Sequence, residues 1–414
     1  LYSSAASDVY KRQDIEDISM MELAIRNCFK GKWKRRDIRN LLSRHCEYTP
    51  GKILKLLKTG NKHMLDGAVH NLALELNNRL MNRELSLPPT VSRTVIEGAK
   101  QKERNLEIES YEHQIFDHLA DLGLQELFEK KFGTWQCASI KGRGQLYTKK
   151  GVEKWIRTDP QGTKVAIQCD VRKCYQNIDI DVLIAMLERD IHKNKPLLWL
   201  TRKLLLIMKE KDKGLFVGSV ISKDLANYYM SYLYHYAESE LTVTRRSRRN
   251  GLIKVRLLSH QAMYMDDVFL SGSNRKYLMM AFRKIQQCLE RKLHLEFKES
   301  WRFYYVEYED KYGVSHGCPA DLAGYVYKRN CTVLRDHIFL KGRRAFKKVK
   351  TYLMKGYEVT QRMAQRAVSY YGWFKNSNLH QFMEKYGIEE LQKYCKRRLS
   401  YLSKRNRAKE ALAC

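Results

Sequence analysis

The sequence lacks the features of a secreted or membrane-spanning protein. It has no run of about 18 apolar residues, so nothing reads as a membrane helix, and no apolar signal segment is found. Its ten cysteines are scattered, with no Cys-x-x-Cys and no Cys/His cluster at metal-ligand spacing. That argues against a zinc site and against a disulfide scaffold, so reduced thiols and a cytoplasmic location are expected. Only six prolines punctuate 414 residues, and no repeat or low-complexity linker separates the lobes of the chain. Acidic residues are also scarce: 46 Asp and Glu face 77 Lys and Arg, a formal charge of +31. This exceeds what solubility needs and fits a protein that holds polyphosphate. A merely solvated basic surface is the plainer alternative.

The charge that is present is clustered, as Lys34-Arg35-Arg36, as Arg245 to Arg249, and from Lys341 to Lys350. Leu1 to Gln13 differ from the rest, and Asp8 to Gln13 can be read as translated transposase-adaptor sequence. A non-native or disordered leader is therefore expected over 1–13, with Met20 or Met21 as a natural start. A basic helical region follows over 14–91. Residues 92–110 predict a hairpin, with Thr94-Val95-Ile96 and Leu106-Glu107-Ile108 flanking a charged turn. A helix from Tyr111 to Lys130 comes next. Over Lys276 to Leu293 the spacing puts Leu278, Phe282, Ile285 and Leu289 on one face, which is plain core packing.

Chemistry concentrates between 164 and 340. Val165 to Asp170 is an apolar run ending in a carboxylate, the pattern of a buried strand that presents Asp170 at its end. Gln261 to Tyr264, then Asp266 and Asp267, then Val268 to Leu270 predict a second hairpin with two carboxylates at its tip. Adjacent carboxylates in an apolar hairpin lose hydration and repel unless a cation neutralises them. Oxygen-only ligands suit magnesium or manganese, and three carboxylates from neighbouring strands can hold two ions about 4 Å apart. An ordinary Asp-Asp turn is the alternative.

Tyr264-Met265-Asp266-Asp267 resembles the signature of reverse transcriptases, and Asp170 with Tyr175 is similar to their first palm motif. Val217-Gly218-Ser219-Val220-Ile221-Ser222, continuing through Leu225 to Asn227, resembles the second, a Gly-x-x-x-Ser loop entering a helix that bears Leu-x-Asn. With Lys102 and Arg104 at one end and Leu322-Ala323-Gly324-Tyr325 at the other, the resemblance spans 224 residues. It implies an α+β right hand: fingers over 14–163, palm over 164–340 and a helical thumb over 341–414.

The resemblance implies RNA-directed DNA synthesis with two magnesium ions, manganese being possible. Asp170 and Asp266 would be the main metal ligands, with Asp267 auxiliary and Val171 in the same set. Tyr175 would sit beneath the sugar of an incoming dNTP, where a 2′-hydroxyl would clash; a buried strand-end tyrosine is the alternative. Lys102 and Arg104 would reach the triphosphate, although an exposed charged turn is common. Val217, Gly218, Met265 and Lys298 join the nucleotide set, Lys298 being readable equally as a surface lysine. Leu322 to Tyr325 would form the primer grip. Lys141, Arg143, Ser222, Asn227, Arg343 and Arg344 would contact template RNA, an RNA–DNA hybrid or an RNA duplex, largely through the backbone. Met363, Ala367, Tyr370, Tyr371 and Phe374 predict a core stripe between thumb helices, with base stacking by Trp373 as the lesser reading.

One departure concerns Val217, where most reverse transcriptases carry Gln. An aliphatic residue there is typical of diversity-generating retroelement enzymes, although those usually have Gln where this chain has Lys223. Error-prone copying with a small helical accessory protein is the preferred expectation. An antiphage defence enzyme acting on a noncoding RNA, a template-independent polymerase and an inactive RNA-binding scaffold are the alternatives.

Overall fold

The protein is described by a computed structural model that covers residues 14–97, 102–210, 214–247 and 251–412. The expected leader and the tip of the first hairpin, 98–101, lie outside the described residues. The fold is mixed α+β with small antiparallel sheets. It divides into two compact units, each built from separated stretches. The first takes the described parts of Leu1–Ser139, Val171–Glu240 and Arg283–Glu299; the second takes Ile140–Asp170, Leu241–Phe282 and the described part of Ser300–Cys414. These limits cut across the spans read from the sequence.

In chain order the first unit opens with α1 (Ile18–Phe29), α2 (Arg36–Ser43), α3 (Pro50–Lys58) and α4 (Asp66–Met81). Local chemistry sets their starts: Asp17 accepts from the Ser19 amide to cap α1, and Thr49 caps α3 with Pro50 in its first turn. The strands β1 (Val91–Glu97) and β2 (Lys102–Ile108) pair antiparallel from Val91 opposite Ile108 to Glu97 opposite Lys102. The expected hairpin is there, with its strands reaching further toward the tip than the sequence suggested. The helix α5 (Tyr111–Lys131), capped by Ser110, buries Ile115, Phe116, Leu119, Leu124 and Leu127. After α6 (Gln145–Thr158) and β3 (Val165–Asp170), both in the second unit, the first unit resumes with α7 (Cys174–Asn177), α8 (Ile180–Ile191), α9 (Lys195–Lys209) and α10 (Ser222–His235).

The second unit holds the hairpin β4 (Thr242–Ser247) with β5 (Gly251–Arg256), then β6 (His260–Tyr264) and β7 (Asp267–Gly272). The helix α11 (Arg275–Leu293) follows, assigned to this unit up to Phe282 and to the first from Arg283, with Leu278, Phe282, Ile285 and Leu289 fully buried, as the spacing predicts. β8 (Arg302–Tyr305) completes a four-stranded sheet of order β6-β7-β3-β8. The core run Val165, Ala166 and Ile167 lies in β3, flanked on both sides, so these residues read as continuous apolar sequence. β9 (Tyr308–Glu309) pairs with β10 (Ser315–His316), and β11 (Ala320–Leu322), β12 (Tyr325–Tyr327) and β13 (Thr332–Leu334) form a small meander. The helices α12 (Asp336–Met354), α13 (Gln361–Lys375), α14 (His380–Lys385) and α15 (Ile388–Leu412) end the described chain. Ala364, Ala367 and Phe374 form the buried line of α13, while Met363, Tyr370 and Tyr371 are half-buried at its margins.

Candidate active site

Asp170 is the last residue of β3, and β7 runs antiparallel beside it with Asp170 opposite Asp267. On the other side of β7, Tyr264 pairs with Asp267 and closes a two-residue turn made of Met265 and Asp266. Met265 holds φ +59°, a left-handed conformation uncommon for a residue with a Cβ. Backbone pairing alone therefore gathers Asp170, Asp266 and Asp267 at one end of the sheet, all in the second unit.

Their charges interact. The Asp267 carboxyl is pushed up to about 7, first by burial and next by the Asp170 carboxylate, while Asp266 adds a smaller push in the same direction. The Arg335 guanidinium opposes this from 4.0 Å away, and a Gln168 hydrogen bond helps it. Arg335 is itself held by a charge-assisted hydrogen bond to Asp321. Gln168 accepts from Arg302 at 2.8 Å and donates to the Asp321 carbonyl. One guanidinium thus leaves the Asp267 carboxyl still raised, and oxygen ligands alone suit a hard divalent cation. That donor set would suit magnesium or manganese, which Asp170, Asp266 and Asp267 would hold; Val171, expected in the same set, is fully buried and belongs to the first unit.

The remaining nucleotide-set residues belong to the first unit, apart from Met265. Lys102 and Arg104 lie on β2, and their side chains fall outside the described part. The Leu215 amide donates to the Tyr175 carbonyl at 2.8 Å and the Gly214 amide to that of Gln176 at 3.0 Å. This pairing ties the half-buried Tyr175 to the segment that continues into half-buried Val217 and exposed Gly218, the latter at φ +114°. Ser222 opens α10 and is buried. Asn227, also buried, donates to the carbonyls of Ala138 at 3.0 Å and Lys223 at 3.1 Å, so its amide is committed to the backbone. Half-buried Lys298 follows a bridge between Val171 and Phe297.

In the second unit, Leu322 pairs with Tyr325 around the turn Ala323-Gly324, both at positive φ (52° and 88°). Gly324 is needed there twice over, since a Cβ would also lie 2.5 Å from the Trp373 ring. Trp373 packs against Tyr325 with ring centroids 5.4 Å apart, a core contact within this unit. Lys141 is exposed and Arg143 half-buried in the loop that enters α6. Arg343 and Arg344 are exposed on α12. Arg343 lines a groove of about 310 Å³ with Lys347 and Lys350, and Arg344 lines another of about 390 Å³ with Lys348, Arg362 and Arg366. Both grooves are lined by several cations beside apolar side chains.

A different cluster contains one His and no Cys, so the absence of a Cys/His pattern does not bear on it. Glu109, His113 and Asp117 are buried, with one ligand atom from each lying within 4.8 Å of the others, and the group could hold a metal ion. The signal was the four-residue spacing Glu-x-x-x-His-x-x-x-Asp, which places such residues on one helical face. No helix among the described residues is long and apolar enough to cross a membrane. No protein-family model matches the chain, and no curated protein matches it.

Proposed function

We propose that this chain is an RNA-directed DNA polymerase, a reverse transcriptase, that extends a primer with deoxynucleotides in a right-handed arrangement of fingers, palm and thumb. The observation that carries the reading is the pairing of Asp170 with Asp267 beside the Tyr264-Met265-Asp266-Asp267 turn. Magnesium bound there would activate the primer hydroxyl and neutralise the triphosphate. The chain's own residues hold and orient. Asp170, Asp266 and Asp267 supply a rigid acidic end to the sheet, and Arg335 keeps Asp267 from being neutralised entirely by protonation. Tyr175 and Val217, whose segments are tied by backbone hydrogen bonds, would contact the incoming sugar and base. Exposed cations such as Arg343 and Arg344 would hold template–primer phosphates. Val217, in place of an amide, supports error-prone copying of a retroelement RNA. Defence service on a noncoding RNA is the second biological reading.

The test is primer extension on an RNA template with magnesium and each nucleotide set, comparing the parent with Asp266→Ala. Template-directed DNA made only by the parent supports the site, and errors concentrated opposite adenine support the retroelement role. Equal activity in the variant would sink the assignment. Extension without template would instead indicate a terminal polymerase, and RNA binding without any synthesis would indicate a scaffold.

A further inference from the structure

A second acidic centre lies in the first unit, apart from the carboxylates of the proposed polymerase. Glu109 precedes the Ser110 cap of α5, His113 receives that cap on its amide, and Asp117 follows one turn later. The three side chains are almost fully withdrawn from solvent: His113 and Asp117 are 0% exposed and Glu109 7%. Yet Glu109 Oε1, Asp117 Oδ1 and both ring nitrogens of His113 have no hydrogen-bond partner among the described residues. Buried polar atoms are nearly always partnered, so four orphans side by side require an explanation.

The geometry supplies one. His113 Nε2 stands 4.0 Å from Glu109 Oε1 and 3.8 Å from Asp117 Oδ1, too far for hydrogen bonds. Ligands about 2.1 Å from a shared ion are roughly 3.4 Å apart at a tetrahedral angle, so movements of about half an ångström would bring each carboxylate to ligand spacing from the imidazole. The other Asp117 oxygen accepts from the Ser219 hydroxyl at 2.5 Å, which turns Oδ1 toward the imidazole. Outer hydrogen bonds orient metal ligands in this way. Two carboxylates and a neutral imidazole carry two negative charges, which one divalent cation cancels. Without a cation the same burial raises Asp117 and pushes Glu109 up to about 7, while lowering His113 to about 4. A protonated, neutral cluster is the competing state, in which a proton is shared between the Glu109 and Asp117 carboxyls, but it leaves both His113 ring nitrogens unpartnered.

We infer that Glu109, His113 and Asp117 form a buried three-ligand site for a divalent first-row transition-metal ion, zinc being the best fit. One imidazole with two carboxylates is a borderline donor set that suits zinc better than magnesium. Through Asp117 and Ser219 the ion would brace the start of α5 against the loop that leads into α10.

The test uses the full chain, purified, dialysed against magnesium buffer and assayed for bound metal by mass spectrometry, then titrated with zinc and with cobalt(II) as a coloured substitute. About one transition-metal equivalent per chain is expected, along with a cobalt spectrum of nitrogen and oxygen ligation. His113→Asn should abolish both, and Ser219→Ala should weaken zinc affinity by about 10- to 100-fold. The double variant Asp170→Asn/Asp266→Asn should retain the metal, which separates this centre from the proposed polymerase site. A parent chain that takes up neither zinc nor cobalt would overturn the inference, as would Ser219→Ala and Glu109→Gln chains that bind as the parent does. Loss of the metal in the Asp170/Asp266 variant alone would place it at the other site and overturn it equally. Should His113→Asn fail to fold, Ser219→Ala and Glu109→Gln carry the test.

Discussion

Asp170 and Asp267 stand opposite each other across the β3–β7 ladder, and the first raises the pKa of the second. Asp267 is held at about 7, against an ordinary value of 3.8. A carboxyl raised by folding favours the protonated native state. In magnesium-free buffer its contribution is therefore intact below about pH 4 and is lost as the pH rises toward 7. Asp267→Asn should then be more stable than the parent at pH 8 in chelator, by about 1–2 kcal/mol after allowing for partial exposure. The difference should vanish near pH 4. Magnesium should stabilise the parent at pH 8 and not the variant. Thermal melts at the two pH values check this, and a parent indifferent to both pH and magnesium would refute it.

Arg335 lowers the Asp267 pKa from 4.0 Å away. Arg335→Gln should raise it further, so that the pH dependence of metal-free stability extends above 7. A titration of Asp267 by carboxyl carbon NMR reads the change directly, and an unmoved midpoint would show the pair to be uncoupled.

Gly214 lies where a Cβ would meet the Tyr175 carbonyl oxygen at 2.2 Å. Overpacking against backbone usually costs about 1–3 kcal/mol, so Gly214→Ala should lower the melting temperature. Because the same contact positions Tyr175, discrimination against ribonucleotides should fall with it. Loss of stability with unchanged discrimination would detach Tyr175 from sugar selection.

Asn227 spends its side-chain amide on the Ala138 and Lys223 carbonyls, while its backbone carbonyl accepts from Gln136 at 2.8 Å whatever the side chain. Asn227→Ala should cost about 1–3 kcal/mol by leaving buried groups unpaired. RNA affinity per folded molecule should stay the same. Weaker RNA binding at unchanged stability would restore a direct contact.

With a formal charge of +31, RNA binding should fall steeply with salt. Six to ten phosphate contacts would weaken the affinity about 10³- to 10⁵-fold between about 50 and 200 mM. Arg343→Ala together with Arg344→Ala should flatten that slope by about two charges. A slope that does not change would remove α12 from the interface.

The elements with a strong local pattern were legible in advance. β3 reads as unbroken apolar residues because strands cover it on both sides, and α11 shows its buried face at helical spacing. The Asp266–Asp267 turn was readable because carboxylates interrupt an apolar hairpin. β4 and β5 were not, because Arg245, Arg246, Leu252 and Lys254 all face solvent and the alternating Ile253 and Val255 are only half-buried, so the contrast between faces is weak. The pairing of β8 with β3 joins residues more than a hundred positions apart, and no local pattern encodes it. Glu109, His113 and Asp117 were visible as letters, but their burial depends on packing that the spacing does not reveal.

The turn after β6 has a consequence for variation in length. Tyr264 and Asp267 bracket only two residues, one of them, Met265, in a left-handed backbone. Side chains alternate faces along a strand, so a single inserted or deleted residue here would carry the carboxylates out of step with Asp170 and exchange the two buried faces of β7. Substitutions at Met265 can be absorbed, and glycine would even relax its backbone. Indels cannot, and a library of one-residue insertions scanned through 260–272 should lose function most sharply at this tip.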